Sequence, residues 1–299
     1  MRVFVTGATG FIGSATVREL TAGGHSVLGL ARSDAAAATL KRAGVDVHRG
    51  ALSDPDSLVA GARACDGVIH TAFIHDFART TIAEAAVVDA RVVDALCAAL
   101  EGSGKALVIA SGTALLPSGR LVTEADSPVA GTPRGPAEAA IQAAARRGVR
   151  ANAVRLPPTV HGAGDHGFVP MLIDVARRTG VAAYIGDGAN RWAAVHRFDA
   201  ARVFRLTLEK ATPGAPQHAV AEDGVPMRAI AETIGAGLGL PVRSLTPDEA
   251  QAHFGWLAHF AAVDNPTSST LTRERLGWQP HEADLLTDLR GGGYFVAGG

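Results

Sequence analysis

Little in this chain points toward covalent or metallic cross-linking. Only two cysteines, Cys65 and Cys97, occur in 299 residues, and neither stands in the paired spacing of a zinc ligand set or a disulfide framework. Both are expected to be buried structural residues. Neither sign of charge dominates: 28 Lys and Arg against 29 Asp and Glu give a formal net charge of −1, which offers no field for nucleic acid or an anionic membrane. No apolar run reaches the roughly 18 residues that span a bilayer, and the chain opens on a strand-like run instead of a basic and apolar leader. A cytoplasmic protein without repeats or low-complexity tracts is the expectation. Aromatic residues amount to 5%, and there are only two tyrosines, Tyr184 and Tyr294.

What is present is a regular alternation. Short β-branched runs at residues 2–6, 25–30, 45–48, 67–70, 106–110 and 150–156 are separated by segments of helical period at 12–22, 35–43, 56–63, 83–100 and 137–147. Strands alternating with helices of this length predict right-handed crossovers and an α/β, doubly wound parallel sheet covered on both faces. After Pro157-Pro158 the regularity weakens, glycines gather at Gly162, Gly164 and Gly167, and helices are predicted near 169–178, 227–238 and 247–254. This reads as a smaller, less regular C-terminal substrate lobe. The expected division is 1–160 for nucleotide binding and 161–299 mainly for substrate, with about 182–212 returning to the first unit.

Between the first strand and its helix lies Thr6-Gly7-Ala8-Thr9-Gly10-Phe11-Ile12-Gly13. Free N–H groups and the positive end of the helix would meet a diphosphate there, and this position makes the glycines a dinucleotide-binding signal of the Rossmann type. Gly7 permits the tight turn, Gly10 admits the phosphates, and Gly13 lets helix and strand approach. The second strand ends Leu30-Ala31-Arg32-Ser33, where a carboxylate would bind both ribose hydroxyls of NAD(H). A guanidinium and a hydroxyl stand there instead, ready for a 2′-phosphate. NADP(H) is preferred, and Asp34, one residue on, leaves NAD(H) open.

The opening TGATGFIG, the run His48-Arg49-Gly50-Ala51-Leu52-Ser53-Asp54, the stretch Val68-Ile69-His70-Thr71-Ala72, the segment Val154-Arg155-Leu156-Pro157 and the later Trp192 to Asp199 together resemble the extended short-chain dehydrogenase/reductases, which are NAD(P)-dependent and epimerase/dehydratase-like. The resemblance covers essentially the whole chain. It implies that the loop from Gly7 through Thr9, Gly10, Phe11, Ile12 and Gly13 wraps the diphosphate, that Leu52 flanks adenine, and that Thr71, Ala72, Phe73 and Pro157 border the phosphates and nicotinamide ribose. Ala51 departs from the family's usual aspartate. So does the catalytic pair, a Tyr followed four residues later by Lys: Gly188 and Gly298 stand four residues after the two tyrosines. Matching Glu138 to the family's helix glutamate puts Arg134 on the Lys position and Ala130 on the Tyr position. Arg134 could bind ribose, yet guanidinium stays protonated and Ala130 has no proton to give. Ser111 and Thr113 fall where the family orients the reacting oxygen. The pattern resembles the atypical members that keep the cofactor site and lose the standard active-site residues. By analogy with relatives, the helices at 83–100 and 137–147 would form a homodimeric four-helix interface.

Another proton donor is then required. His75 beside Asp76, and His161 at the crevice rim ahead of Asp165 and His166, are the candidates. Metal binding by His161, Asp165 and His166 fits no standard pattern, so no metal is expected. Phe77, Phe168, Tyr184, Trp192 and His196 would line an apolar substrate pocket, without the basic cluster that a sugar diphosphate needs. The leading expectation is an NADP(H)-dependent oxidoreductase that moves hydride to or from a carbonyl or related group of a small hydrophobic molecule. Its rivals are a non-catalytic NAD(P)(H)-binding redox sensor and an epimerase or dehydratase of the same family.

Overall fold

A computed structural model describes residues 1–76 and 79–296. The first half follows the alternation in the sequence: β1 (Arg2–Thr6), α1 (Phe11–Ala22), β2 (Ser26–Ala31), α2 (Asp34–Arg42), β3 (Asp46–Arg49), α3 (Pro55–Arg63), β4 (Gly67–His70), α4 (Ile82–Leu100), β5 (Ala106–Gly112), α5 (Gly135–Arg146) and β6 (Arg150–Leu156). Turn chemistry sets the boundaries. Ser33, Asp54 and Thr81 each accept a hydrogen bond from the third backbone N–H beyond them and so start α2, α3 and α4. Pro136 occupies the first turn of α5, where a missing N–H costs nothing.

The second half supplies β7 (Thr159–His161), α6 (Phe168–Thr179), β8 (Ala182–Ile185), β9 (Arg191–His196), α7 (Arg197–Lys210), β10 (Gln217–His218), β11 (Glu222–Pro226), α8 (Met227–Leu238), β12 (Val242–Leu245), α9 (Pro247–Phe254), α10 (Ala258–Ala261), α11 (Thr270–Leu276) and α12 (Leu285–Gly291). Seven parallel strands form the central sheet in the order β10-β6-β5-β4-β1-β2-β3. The order reverses between β1 and β4, and a ligand of such a sheet binds beyond the strand ends at that point. Two apolar cores cover its faces, one around Val5, Leu20 and Phe204, the other around Phe4, Leu58, Leu96 and Leu107. A third core around Leu172, Trp192, Ile230 and Phe254 belongs to the second half, where β11-β9-β7 and β12-β8 make small sheets. α7 returns to pack on α1 through Ala200, Val203 and Phe204.

Both cysteines are buried, and burial pushes the Cys97 thiol up to about 12. Among the described residues no helix is long and apolar enough to cross a membrane.

Candidate functional site

The phosphate turn is held by contact between backbones. Gly7 has φ +69°, and a Cβ there would lie 2.7 Å from the amide nitrogen of Ala72. A Cβ on Gly13 would sit 1.9 Å from the Gly7 carbonyl oxygen. Gly7 thus lets the segment after β4 pass against the turn, and Gly13 lets α1 close onto the end of β1. Gly10 differs: its φ is −77° and the single near contact of an added Cβ is at 3.2 Å, so the room it leaves is on the ligand side. Unlike its three neighbours, α1 has no side-chain cap and no acidic residue in its first turn. Its first N–H groups and its positive end are left for an anion, and a diphosphate fits that demand. Gly13→Ala should therefore lower Tm and abolish nucleotide-induced stabilisation in a thermal melt, overpacking at such a contact costing about 1–3 kcal/mol.

At the far end of the turn, Arg32 is exposed and Ser33 caps α2. Strand pairing sets Ala31 against Arg49, and Arg49 pairs with Asp34. One guanidinium thus pairs with a carboxylate beside the exposed Arg32, where a ribose hydroxyl or phosphate would lie. Arg49 was not among the residues expected from the sequence, because only the parallel register of β2 and β3 carries it there.

On the other side of the reversal point, a buried polar chain runs away from the turn. Thr6 Oγ1 lies 2.7 Å from His70 Nδ1, His70 Nε2 lies 3.1 Å from Asp89 Oδ1, and Arg134 Nη2 donates to Asp89 Oδ2 at 3.3 Å and to the Ala110 carbonyl at 2.8 Å. Burial alone would raise the Asp89 pKa; the His70 hydrogen bond and the Arg134 charge outweigh it and hold this carboxyl below its ordinary value. The Arg134 guanidinium covers the Phe73 ring at 4.4 Å, and the His75 ring stands 5.2 Å from Phe73. Desolvation, followed by the positive field of Arg134 and a smaller one from His166, pushes the His75 pKa below 6.5. His166 in turn contacts Phe11, ring to ring, at 5.7 Å. Arg134, Phe73 and His75 thus form one group, and His166 stands against Phe11 at the start of α1. Asp89 has a readable signal: it is the one carboxylate on the buried stripe of α4, among Ala85, Ala86, Val92, Val93 and Leu96.

Other expected residues lie deeper. Ser111 donates to Glu138, which is also forked by Arg155 in a buried ion pair, and Thr113 donates to Asn265 Oδ1 at 2.7 Å. A carbonyl oxygen would receive either proton only by displacing Glu138 or Asn265. Leu52 packs against the core beneath the sheet's edge, and Pro157 is buried at the end of β6. Thr71, beside Ala72, donates to the Thr6 carbonyl at 2.8 Å. His161 is 1% exposed and bonded through Nδ1 to Asp288 at 2.9 Å. His196 accepts from the Phe198 N–H and meets the His161 ring edge to face at 5.4 Å. Phe168 lies 5.7 Å from the buried Trp192 and 4.8 Å from Phe260, whereas Tyr184 faces Arg228 in the third core. Phe77 falls outside the described residues.

A family model described as the NAD dependent epimerase/dehydratase family matches residues 3–221. An uncharacterized protein of Schizosaccharomyces pombe, C2A9.02, is 53% identical over 297 residues, spanning 99% of this chain and all of its own length. The 2-alkyl-3-oxoalkanoate reductase of Stenotrophomonas maltophilia is 29% identical over 262 residues, covering 81% of this chain and 77% of the reductase. Among solved structures, MoeE5 in complex with UDP-glucose and NAD overlays with a TM-score of 0.75 at 22% identity, covering 99% of this chain and 98% of that one. This chain belongs to the NAD dependent epimerase/dehydratase family.

Proposed function

We propose that the chain is an NADP(H)-dependent oxidoreductase acting on a carbonyl or the matching alcohol of a small, largely apolar molecule. The observation that carries this reading is the uncapped phosphate turn at the start of α1, with Arg32 and Arg49 at the ends of β2 and β3 and the Arg134, Phe73, His75 group beyond the end of β4. The resemblance in sequence to a 3-oxoalkanoate reductase supports it. Bound nicotinamide would supply or accept the hydride. Arg134 is fixed by Asp89 and the Ala110 carbonyl, and its remaining N–H groups would hold the ribose hydroxyls. It cannot move a proton at neutral pH. His75 can: its lowered pKa makes it a neutral acceptor at pH 7 for the proton of an alcohol being oxidised. In the reductive direction it must first be charged from solvent. Rings of Phe168 and Phe260 offer an apolar wall, and among the described residues no basic cluster stands beside them for a sugar diphosphate.

With the sign worked out, the oxidative kcat/KM should rise with pH through a midpoint below 6.5 and stay level above it. His75→Ala should remove that inflection and lower the rate by about 10²- to 10⁴-fold. A steady-state pH profile measures both, and an unchanged profile in the variant sinks the assignment. A second reading, a redox sensor that binds nucleotide without turning it over, is favoured by the commitment of the Ser111 and Thr113 hydroxyls to Glu138 and Asn265. Loss of NADPH absorbance in a single turnover with a panel of ketones and 3-oxo acids separates the two; tight binding with no oxidation across the panel selects the sensor.

A further inference from the structure

Arg197 is a half-buried cation with no anionic partner among the described residues. Its Nη1 donates to the Ala163 carbonyl at 2.7 Å and its Nη2 to Ser14 Oγ at 2.9 Å, while its Nε is buried without a hydrogen-bond partner. Among the described residues it joins no ion pair. The guanidinium lies over the rings of Phe11 at 4.6 Å and Phe198 at 5.2 Å, and Arg18 covers the far side of the cluster at 4.5 Å from Phe198. Phe11 and Ser14 belong to the first turn of α1, so this positive charge stands at the positive end of a helix that has neither cap nor acid. Cations are favoured at the opposite end of a helix. Burial and the neighbouring Arg18 both act against the charged form. No carboxylate among the described residues balances this arrangement, whereas Arg155 has Glu138, Arg191 has Asp264, and Arg205 has Glu19 and Glu209; Arg150 and Arg273, which also lack an ion pair, lie on carbonyls and a hydroxyl.

We infer that Arg197 is the counter-charge of the cofactor's diphosphate, in addition to the backbone amides of the glycine turn. Through Ala163 the same side chain also ties the loop at residues 162–167, which opens the second lobe, to α1. The inference rests on the dinucleotide reading of the turn but on neither the choice of NADP(H) nor the reaction. A charge that meets the diphosphate acts equally on every ligand that carries it.

Isothermal titration with NADPH, NADH and ADP-ribose on the wild type, Arg197→Met and Arg197→Lys tests this. Arg197→Met should raise all three Kd values about tenfold, leave the NADPH to NADH ratio unchanged, and flatten the salt dependence of ADP-ribose binding. Arg197→Lys keeps the charge and loses the fork that bridges Ala163 and Ser14; it should hold ADP-ribose within about threefold of the wild type. If Arg197→Met binds ADP-ribose as tightly as the wild type, the inference is wrong. It is equally wrong if Arg197→Lys falls to the level of the Met variant with the same loss of Tm, since that is the behaviour of a structural tie. A wild type that binds none of the three nucleotides overturns the cofactor reading itself.

Discussion

Arg32→Glu should weaken NADPH binding about 100-fold and leave NADH binding nearly unchanged. A phosphate on the adenosine ribose would sit among Arg32, Arg49 and the Ser33 hydroxyl, with Asp34 already paired to Arg49. A charge-assisted hydrogen bond contributes about 1.5–3 kcal/mol, and reversing the charge adds repulsion from a dianion. Arg32 is exposed, so salt screens part of that over about 10 Å at 0.1 M and the contrast is largest at low ionic strength. Direct titration of both nucleotides reads the difference. Equal losses for NADPH and NADH would mean that Arg32 does not see the 2′ position, and the preference for NADP(H) would go.

The second large effect is expected at Asp89. Asp89→Asn keeps the shape, removes the charge, and offers an NH₂ to neighbours that need an acceptor on both sides, His70 Nε2 and Arg134 Nη2. Breaking a buried charge pair from one side costs about 3–5 kcal/mol, and Arg134 is partly open to water, so a loss of about 3 kcal/mol in urea unfolding is expected. Its pH dependence has a definite sign. The carboxyl is held below its ordinary value in the folded protein, so the stabilisation is complete above the unfolded pKa of about 4 and disappears as pH falls through the lower folded value. The gap in stability between wild type and variant should close on acidification. A gap that is constant across that range would show that Asp89 supports α4 by packing alone. Because Arg134 loses its brace, KM for the nucleotide should rise in parallel.

Elements built on local periodicity can be read directly in both halves of the chain. Boundaries at Ile82–Leu100, Met227–Leu238 and Pro247–Phe254 fall within one residue of the sequence reading because capping residues, prolines and apolar stripes are all local signals. The glycine turn was legible for the same reason. Pairings across long separations were not: Arg49 meets Asp34 through strand register, Thr113 meets Asn265 across 152 positions, and β12 joins β8 in a sheet with no sequence mark of its own. Ser111 shows the difference well. Its place after β5 is plain from the sequence, but whether its proton faces the cleft or Glu138 depends on α5 packing over the strand. The absence of a Tyr and Lys pair is a matter of composition and was visible at once, whereas the chain from Thr6 to Arg134 that occupies the region needed four elements to be assembled.

The segment that carries His161 and Asp165 is also fastened by residues more than 120 positions downstream. Asp288 of α12 bonds His161, and the Tyr294 hydroxyl accepts from the Gly162 N–H at 2.9 Å and donates to Asp165 at 3.1 Å. During translation the parallel sheet can pair as its strands emerge, while this rim, held until then by the Arg197 bond to the Ala163 carbonyl, gains its remaining ties only when residue 294 has cleared the ribosome tunnel. A nascent chain stalled at residue 280 would thus carry a paired sheet and an unfinished mouth, and proteases should cut it first between residues 161 and 167.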